Sequence, residues 1–363
     1  MDGSWGVAGA DTHKHSITLA VIDSTGGDVG VSSFEVTTEG VAEIIRWLRG
    51  LRVDVRRVGI EGSAGWGLPV SKALVAAGFD VREVNPSRTS DRRRRRRRQK
   101  TDREDALAVA REVLADPSLP PAAAARPVSE AHTEIAVITE RRRSLIRRRQ
   151  RLLNEAESVL SKLPLDVRAQ LGAGTVGARL RRLARLEAAV AGDLVDWLAE
   201  MLDDLVDWER RIDDLEARLP ALLKACGSTL TNEVGIGLVS AAELVAQVGD
   251  PTRFRSEGAF ARWAGVAPVA TSSGEAEQEP VRHRLDLLGN RTVNRILYVM
   301  SVTQARHDES GRAFLARKRA EGKTGKEARR AHKRQLANRV IRRMWADHRR
   351  LIGSRERALD AAA

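Results

Sequence analysis

The chain has one cysteine in 363 residues, Cys226, which excludes an intramolecular disulfide and any zinc site built on cysteines. It also lacks a signal-peptide pattern and any apolar run long enough to span a bilayer. On those absences it reads as a soluble, cytoplasmic protein with no membrane partner. Acids are scarce where bases are dense: residues 312–350 hold 15 Lys and Arg against 3 Asp and Glu. Further basic runs are Arg92 to Arg98, Arg141 to Arg143 and Arg147 to Arg149. Residues 187–218 show the reverse imbalance, with 11 acids and 3 bases. The formal charge of +13 implies a polyanionic partner, and its segregation implies separate surfaces with separate partners.

The length suits two or three domains with real cores. WGVAGADT, ITLAVID and VSSFEVTT read as three strands joined by the turns HKHS and STGGD, a meander. VAEIIRWLRGL has apolar residues at Val41, Ile44, Ile45 and Leu48, a helical period. RRVGIE and FDVREVN follow as short strands around the helix LPVSKALVAAG, and KTDREDALAVA opens one more helix. The order βββαβαβα predicts an α/β domain with a mixed, RNase H-like sheet over residues 1–118. Residues 119–222 read as a helical, coiled-coil spacer. There Ile138, Leu145, Leu152 and Val159 repeat every seven residues, and Leu198, Met201, Leu205, Trp208, Ile212, Leu215 and Leu219 recur at spacings of three and four. The two arms are expected either to pack as an antiparallel hairpin, broken at Pro164 and LGAGTVGA, or to pair between subunits. Residues 223–363 read as a mostly α-helical domain ending in basic helices. Near its start, Gly235 and Gly237 form a turn that suits a helix-hairpin-helix exposing N–H groups to a DNA phosphate, or an ordinary turn between helices.

Four carboxylates suit a metal site acting on phosphodiesters. Asp11 stands near the end of the first strand and Glu61 at the end of a later one, while Asp102 and Asp105 lie three residues apart, on one face if their segment is helical. Oxygen-only ligands suit magnesium, and two such ions roughly 4 Å apart would neutralise acids that could not otherwise all ionise together. Each acid also has an ordinary alternative: turn residue, solvated strand end, or, for Asp102, a helix cap after Thr101.

GADTHKHS, GIEGSAGWG, VNPSRTS and KTDREDALAVA resemble the DEDD, RuvC-like amino-terminal domain of the IS-one-ten family of insertion-sequence transposases. TNEVGIGLVSAAELVAQVGDPTRFRS, WAGVAPVATSSGE and GNRTVNRILY resemble that family's carboxy-terminal transposase domain. The resemblance implies a bacterial DNA recombinase, nucleoid-associated when bound to DNA. It also implies that Asp11, Glu61, Asp102 and Asp105 bind magnesium while Ser273 serves as covalent nucleophile, with neighbouring Ser272 the fallback. It further implies donor and target DNA, a noncoding bridge RNA and a homo-oligomer, dimer or tetramer, as partners. Arg92, Arg93, Arg94, Arg95, Arg96, Lys100, Gly235, Gly237, Arg282, Arg284, Asn290 and Arg291 are then the expected nucleic-acid contacts. One departure is the acidic EAEQEP after Ser273-Gly274, where relatives would be expected to turn basic sooner. Two other readings remain: a RuvC-like endonuclease or junction resolvase using water as nucleophile, and a nucleic-acid-binding scaffold with a degenerate site.

Overall fold

A computed structural model describes residues 4–63, 65–84, 101–117, 119–122, 129–186, 192–270, 283–285 and 289–360. The chain divides into two compact units. One comprises residues 129–231 and 237–247, and the other holds the rest. Among the described residues, no helix is long and apolar enough to cross a membrane.

The second of these units begins with the expected βββαβαβα order. Strands β1 (Trp5–Thr12), β2 (Ser16–Asp23) and β3 (Asp28–Glu35) form an antiparallel meander, followed by α1 (Thr38–Arg49), β4 (Asp54–Glu61), α2 (Leu68–Ala76), β5 (Asp80–Val84) and α3 (Asp102–Ala115). The sheet runs β3-β2-β1-β4-β5, with β1–β4 and β4–β5 parallel, so it is mixed and RNase H-like.

Alternation along the strands gives the sheet two apolar faces. Ala8, Ala10, Leu19, Val58 and Ile60 pack with Ile44 and Leu48 of α1 and with Val70 and Leu74 of α2. Val7, Ala20, Ile22 and Val84 pack with Ala106, Leu107, Val109, Ala110 and Val113 of α3. Burying each Val or Leu here contributes about 1.5–3 kcal/mol. Two glycines let α3 lie close. A Cβ on Gly9 would stand 2.1 Å from the Ala110 backbone nitrogen, and one on Gly59 would stand 2.2 Å from a Val113 methyl. The run of small residues in α3 and the bare positions on the sheet therefore answer each other.

In the carboxy-terminal part of this unit, α10 (Glu257–Trp263), α11 (Arg291–His307), α12 (Glu309–Ala320) and α13 (Gly325–Asp360) pack together. A short ribbon, β6 (Pro268–Ala270) paired antiparallel with β7 (His283–Leu285), precedes α11. Arg253, almost wholly buried, lies over the rings of Phe254 and Trp263 and ion-pairs with Glu83 of β5 at 3.0 Å.

In the other unit, α4 (Glu130–Leu160) and α7 (Asp193–Ala217) pack against each other, with α5 (Leu165–Leu171) and α6 (Val176–Leu183) between them in sequence. Ion pairs Arg142–Glu216 and Arg149–Glu209 set the arms antiparallel, so the heptad positions Leu152, Val159, Leu198, Met201 and Leu205 close on one another within the chain. Short α8 (Leu219–Ala225) and α9 (Leu238–Val248) follow.

Candidate metal centre

The face of the sheet that receives α3 also receives the acids. Asp11 lies two residues beyond Gly9 and so points to the α3 side of β1. Glu61, the last residue of β4, lies two beyond Gly59 and one register position past the Ala10–Ile60 pair, which brings it beside Asp11 on the same face. The Thr12 hydroxyl donates to the Glu61 carbonyl at 3.1 Å, tying the two strand ends together. Asp102 and Asp105 occupy the first turn of α3. Thr101, not Asp102, caps that helix: its hydroxyl accepts from the Glu104 N–H at 3.3 Å, which leaves the Asp102 carboxylate out of the capping role. The amino end of the helix dipole favours carboxylates in this turn.

Electrostatics register the convergence. Burial pushes the Asp11 carboxyl above its ordinary pKa. His13 pulls it down, and the negative charges of Asp105 and Asp102 push it up again. His13 lies between two of these acids, its Nε2 3.3 Å from Asp11 Oδ2 and 3.4 Å from Asp102 Oδ1. One ligand atom from each of Asp11, His13 and Asp102 falls within 4.8 Å of the other two. Carboxylate oxygens dominate this donor set, with one imidazole nitrogen, a combination that fits a hard or borderline divalent cation. Sequence reasoning passed over His13, although its place two residues after Asp11 at a strand end was a usable signal.

The other sequence candidates fall elsewhere. Gly235 has φ +91°, and a Cβ there would meet the Met300 Cα at 2.9 Å, so close packing on α11 accounts for the glycine. Gly237 is exposed just before α9 and has open space around its Cα. Asn290 caps α11, its Oδ1 accepting from the Val293 N–H at 3.0 Å, and Arg291 is exposed in the first turn. Arg284 pairs with Val269 across the β6–β7 ribbon, whose two strands flank Ser272 and Ser273 in the sequence. Ser272, Ser273, Arg282, Arg92, Arg93, Arg94, Arg95, Arg96 and Lys100 lie outside the described residues.

Residues 8–163 match a family model described as Transposase, which bears the label DEDD Tnp IS110. Residues 228–316 match a second, described as Transposase IS116/IS110/IS902 family. Among curated relatives, the insertion element IS110 uncharacterized 43.6 kDa protein of Streptomyces coelicolor is 35% identical over 116 residues, covering 31% of this chain and 28% of the relative. A probable family 20 transposase of Pseudomonas aeruginosa is 30% identical over 151 residues, covering 41% of this chain and 45% of the relative. The matched stretches thus span less than half the length of either relative.

Proposed function

The chain belongs to the IS110 family of transposases, and on that premise we propose that it is a recombinase that cuts and rejoins the DNA of an insertion sequence. The observation that carries this reading is the gathering of Asp11, Asp102 and Asp105 at the amino end of α3, with the sheet register bringing Glu61 to the same face. These acids would hold magnesium, two ions in our reading. Bound there, magnesium supplies Lewis-acid stabilisation to the charge that builds on phosphodiester oxygens. The sheet and α3 supply rigidity, since each acid sits at the end of a strand or in the first turn of a helix rather than in a long loop.

Ser273 is the proposed nucleophile. Its Oγ forms a bond to phosphorus as one P–O ester bond of the DNA breaks, leaving a free hydroxyl on the departing DNA end. Attack by the hydroxyl of another DNA end reverses the step and releases the serine, so no external energy source is needed. A bridge RNA that pairs with donor and target DNA would read sequence, while the basic runs and the basic helices α12 and α13 take phosphates. We further propose a homo-oligomer, in which the acid site of one subunit is completed by the serine loop of another.

Trapping tests the serine assignment. In magnesium, wild-type protein should form a covalent adduct with DNA that Ser273→Ala abolishes. If Ser273→Ala leaves cleavage intact with no adduct, water is the nucleophile and the resolvase reading stands instead; an adduct that persists in Ser273→Ala moves the nucleophile to Ser272. Sequencing the RNA that copurifies with the protein tests the guide: an RNA complementary to the element's junctions is expected, and its absence overturns that part.

A further inference from the structure

The reading above gives the metal to carboxylates alone, but the structure adds an imidazole. We propose that His13 is a nitrogen ligand of the divalent cation and tunes this site toward manganese and other first-row transition ions at the expense of its preference for magnesium. The inference rests on the assignment of Asp11 and Asp102 as metal ligands.

Geometry supports coordination by Nε2. An octahedral ion with ligands at about 2.1 Å sets neighbouring donor atoms about 3.0 Å apart and opposite ones about 4.2 Å apart. His13 Nε2 is 3.3 Å from Asp11 Oδ2 and 3.4 Å from Asp102 Oδ1, so an ion need draw the imidazole nitrogen toward each carboxylate oxygen by only a few tenths of an ångström. One donor atom from each of the three residues lies within 4.8 Å of the other two, close to the span of about 4.2 Å between opposite ligands of one ion. The backbone is fixed where this matters: the His13 N–H donates to the Ser16 carbonyl at 2.9 Å, closing the β1–β2 hairpin. The side chain is half exposed, so Nδ1–H can donate to water once Nε2 is engaged. Imidazole favours first-row transition ions, Zn²⁺ and Co²⁺ strongly and Mn²⁺ least, while Mg²⁺ prefers an all-oxygen shell, so a nitrogen donor costs Mg²⁺ more than it costs Mn²⁺. A further acid of α3, Asp105, is buried and contributes negative charge at Asp11, which strengthens the pull on any cation.

The competing arrangement has the same distances and an opposite consequence. If His13 is only a cation bridging two carboxylates, an incoming metal must expel it, and removing it makes metal binding tighter. If it is a ligand, removing it makes binding weaker, more for the transition ions than for Mg²⁺.

The test uses full-length protein, Mn²⁺ and Mg²⁺, with no DNA. Pulsed electron paramagnetic resonance of the Mn²⁺-loaded wild type should show nitrogen hyperfine modulation from a directly bound imidazole, lost in His13→Gln. Calorimetric titration should show His13→Gln weakening Mn²⁺ roughly tenfold and Mg²⁺ less than about threefold. The spectrum of the wild type needs no variant, so it decides even if His13→Gln fails to fold. Absent nitrogen modulation, or tighter metal binding in His13→Gln, overturns the inference while leaving the carboxylate site standing, provided Asp11→Asn abolishes Mn²⁺ binding. Mn²⁺ binding indifferent to Asp11→Asn, or none at all, overturns the carboxylate site and the inference together.

Discussion

Asp11 and Glu233 are both shielded from water in the same unit, yet their surroundings treat them in opposite ways. Burial raises the Asp11 pKa, His13 offsets this in part, and Asp105 and Asp102 add to the rise. Burial by itself would also raise Glu233, but hydrogen bonds and charges from Arg343 and Arg339 outweigh it and hold that carboxyl below its ordinary value. Each oxygen of Glu233 has its own guanidinium, Oε2 at 2.7 Å from Arg339 and Oε1 at 2.7 Å from Arg343. Glu233 is a carboxylate whose cost of desolvation is met inside the fold. Asp11 sits among like charges, a cost that a divalent cation can offset. The difference separates a carboxylate compensated within the fold from one that, in the function we propose, is held ready for chemistry.

The comparison breaks most visibly at the arginines. Removing both, in Arg339→Ala with Arg343→Ala, leaves the buried carboxylate of Glu233 uncompensated. Each arginine side chain keeps more than a third of its surface in water, so screening discounts the pair, and we expect a loss of about 2–3 kcal/mol in urea unfolding. An undiminished midpoint would mean that the ion pairs contribute nothing. Next in size is Gly9→Ala, which must push α3 off the sheet and so costs about 1–3 kcal/mol. Because Asp102 and Asp105 ride on that helix, Gly9→Ala should also weaken Mn²⁺ binding severalfold. Full metal affinity in a destabilised Gly9→Ala would detach the acids from the packing of the helix.

The two carboxylates also differ in how far the sequence announces them. Short apolar runs bounded by turn residues made β1, β2 and β4 legible, and that legibility carried Asp11 and Glu61 with it, since each stands where its run ends. The spacing of Asp102 and Asp105 needed only a helix, which the alanine-rich DALAVA supplies. What stayed hidden was contact at long range. The capping role of Asp102 was left open because Thr101 and Asp102 are both good caps, and only backbone geometry decides between them. Gly9 and Gly59 gave no sign that a helix would press on them. Glu233 lies 106 positions from Arg339, and no local pattern links a glutamate before a turn to an arginine deep in a basic helix. Gly235, read as a possible phosphate-facing glycine, has a packing reason in Met300 that the turn sequence could not disclose. The heptads of α4 and α7 fitted a hairpin and a subunit contact equally, because period alone does not name the partner helix.

The third prediction reverses the usual sign. Asp11→Asn removes a charge that burial and like-charged neighbours disfavour, so the metal-free protein should be as stable as wild type or more so, by about 0.5–1 kcal/mol. Saturating Mn²⁺ should invert the order, since a ligand stabilises only the protein that binds it. A metal-free Asp11→Asn that is clearly less stable would show that the carboxylate is held by partners worth more than its desolvation.

The smallest effect is in pH, and here the signs follow from the direction of each shift. A folded-state pKa above the unfolded value means that the native protein binds the Asp11 proton more tightly, so Asp11 adds stability at low pH and loses it as pH rises through the folded value. Glu233 is the reverse: its contribution is present above the unfolded value and disappears as pH falls through the depressed folded one. In metal-free protein, the advantage of Asp11→Asn over wild type should therefore be absent in acid and grow toward neutrality. Glu233→Gln should be less stable than wild type at neutral pH, with the deficit shrinking only once the pH has dropped below the ordinary glutamate range. Thermal midpoints of the three proteins across the acid range would measure this. Difference curves of the same sign would remove the distinction between the two carboxylates, because a group compensated within the fold and a group left buried beside like charges cannot respond alike to losing their charge.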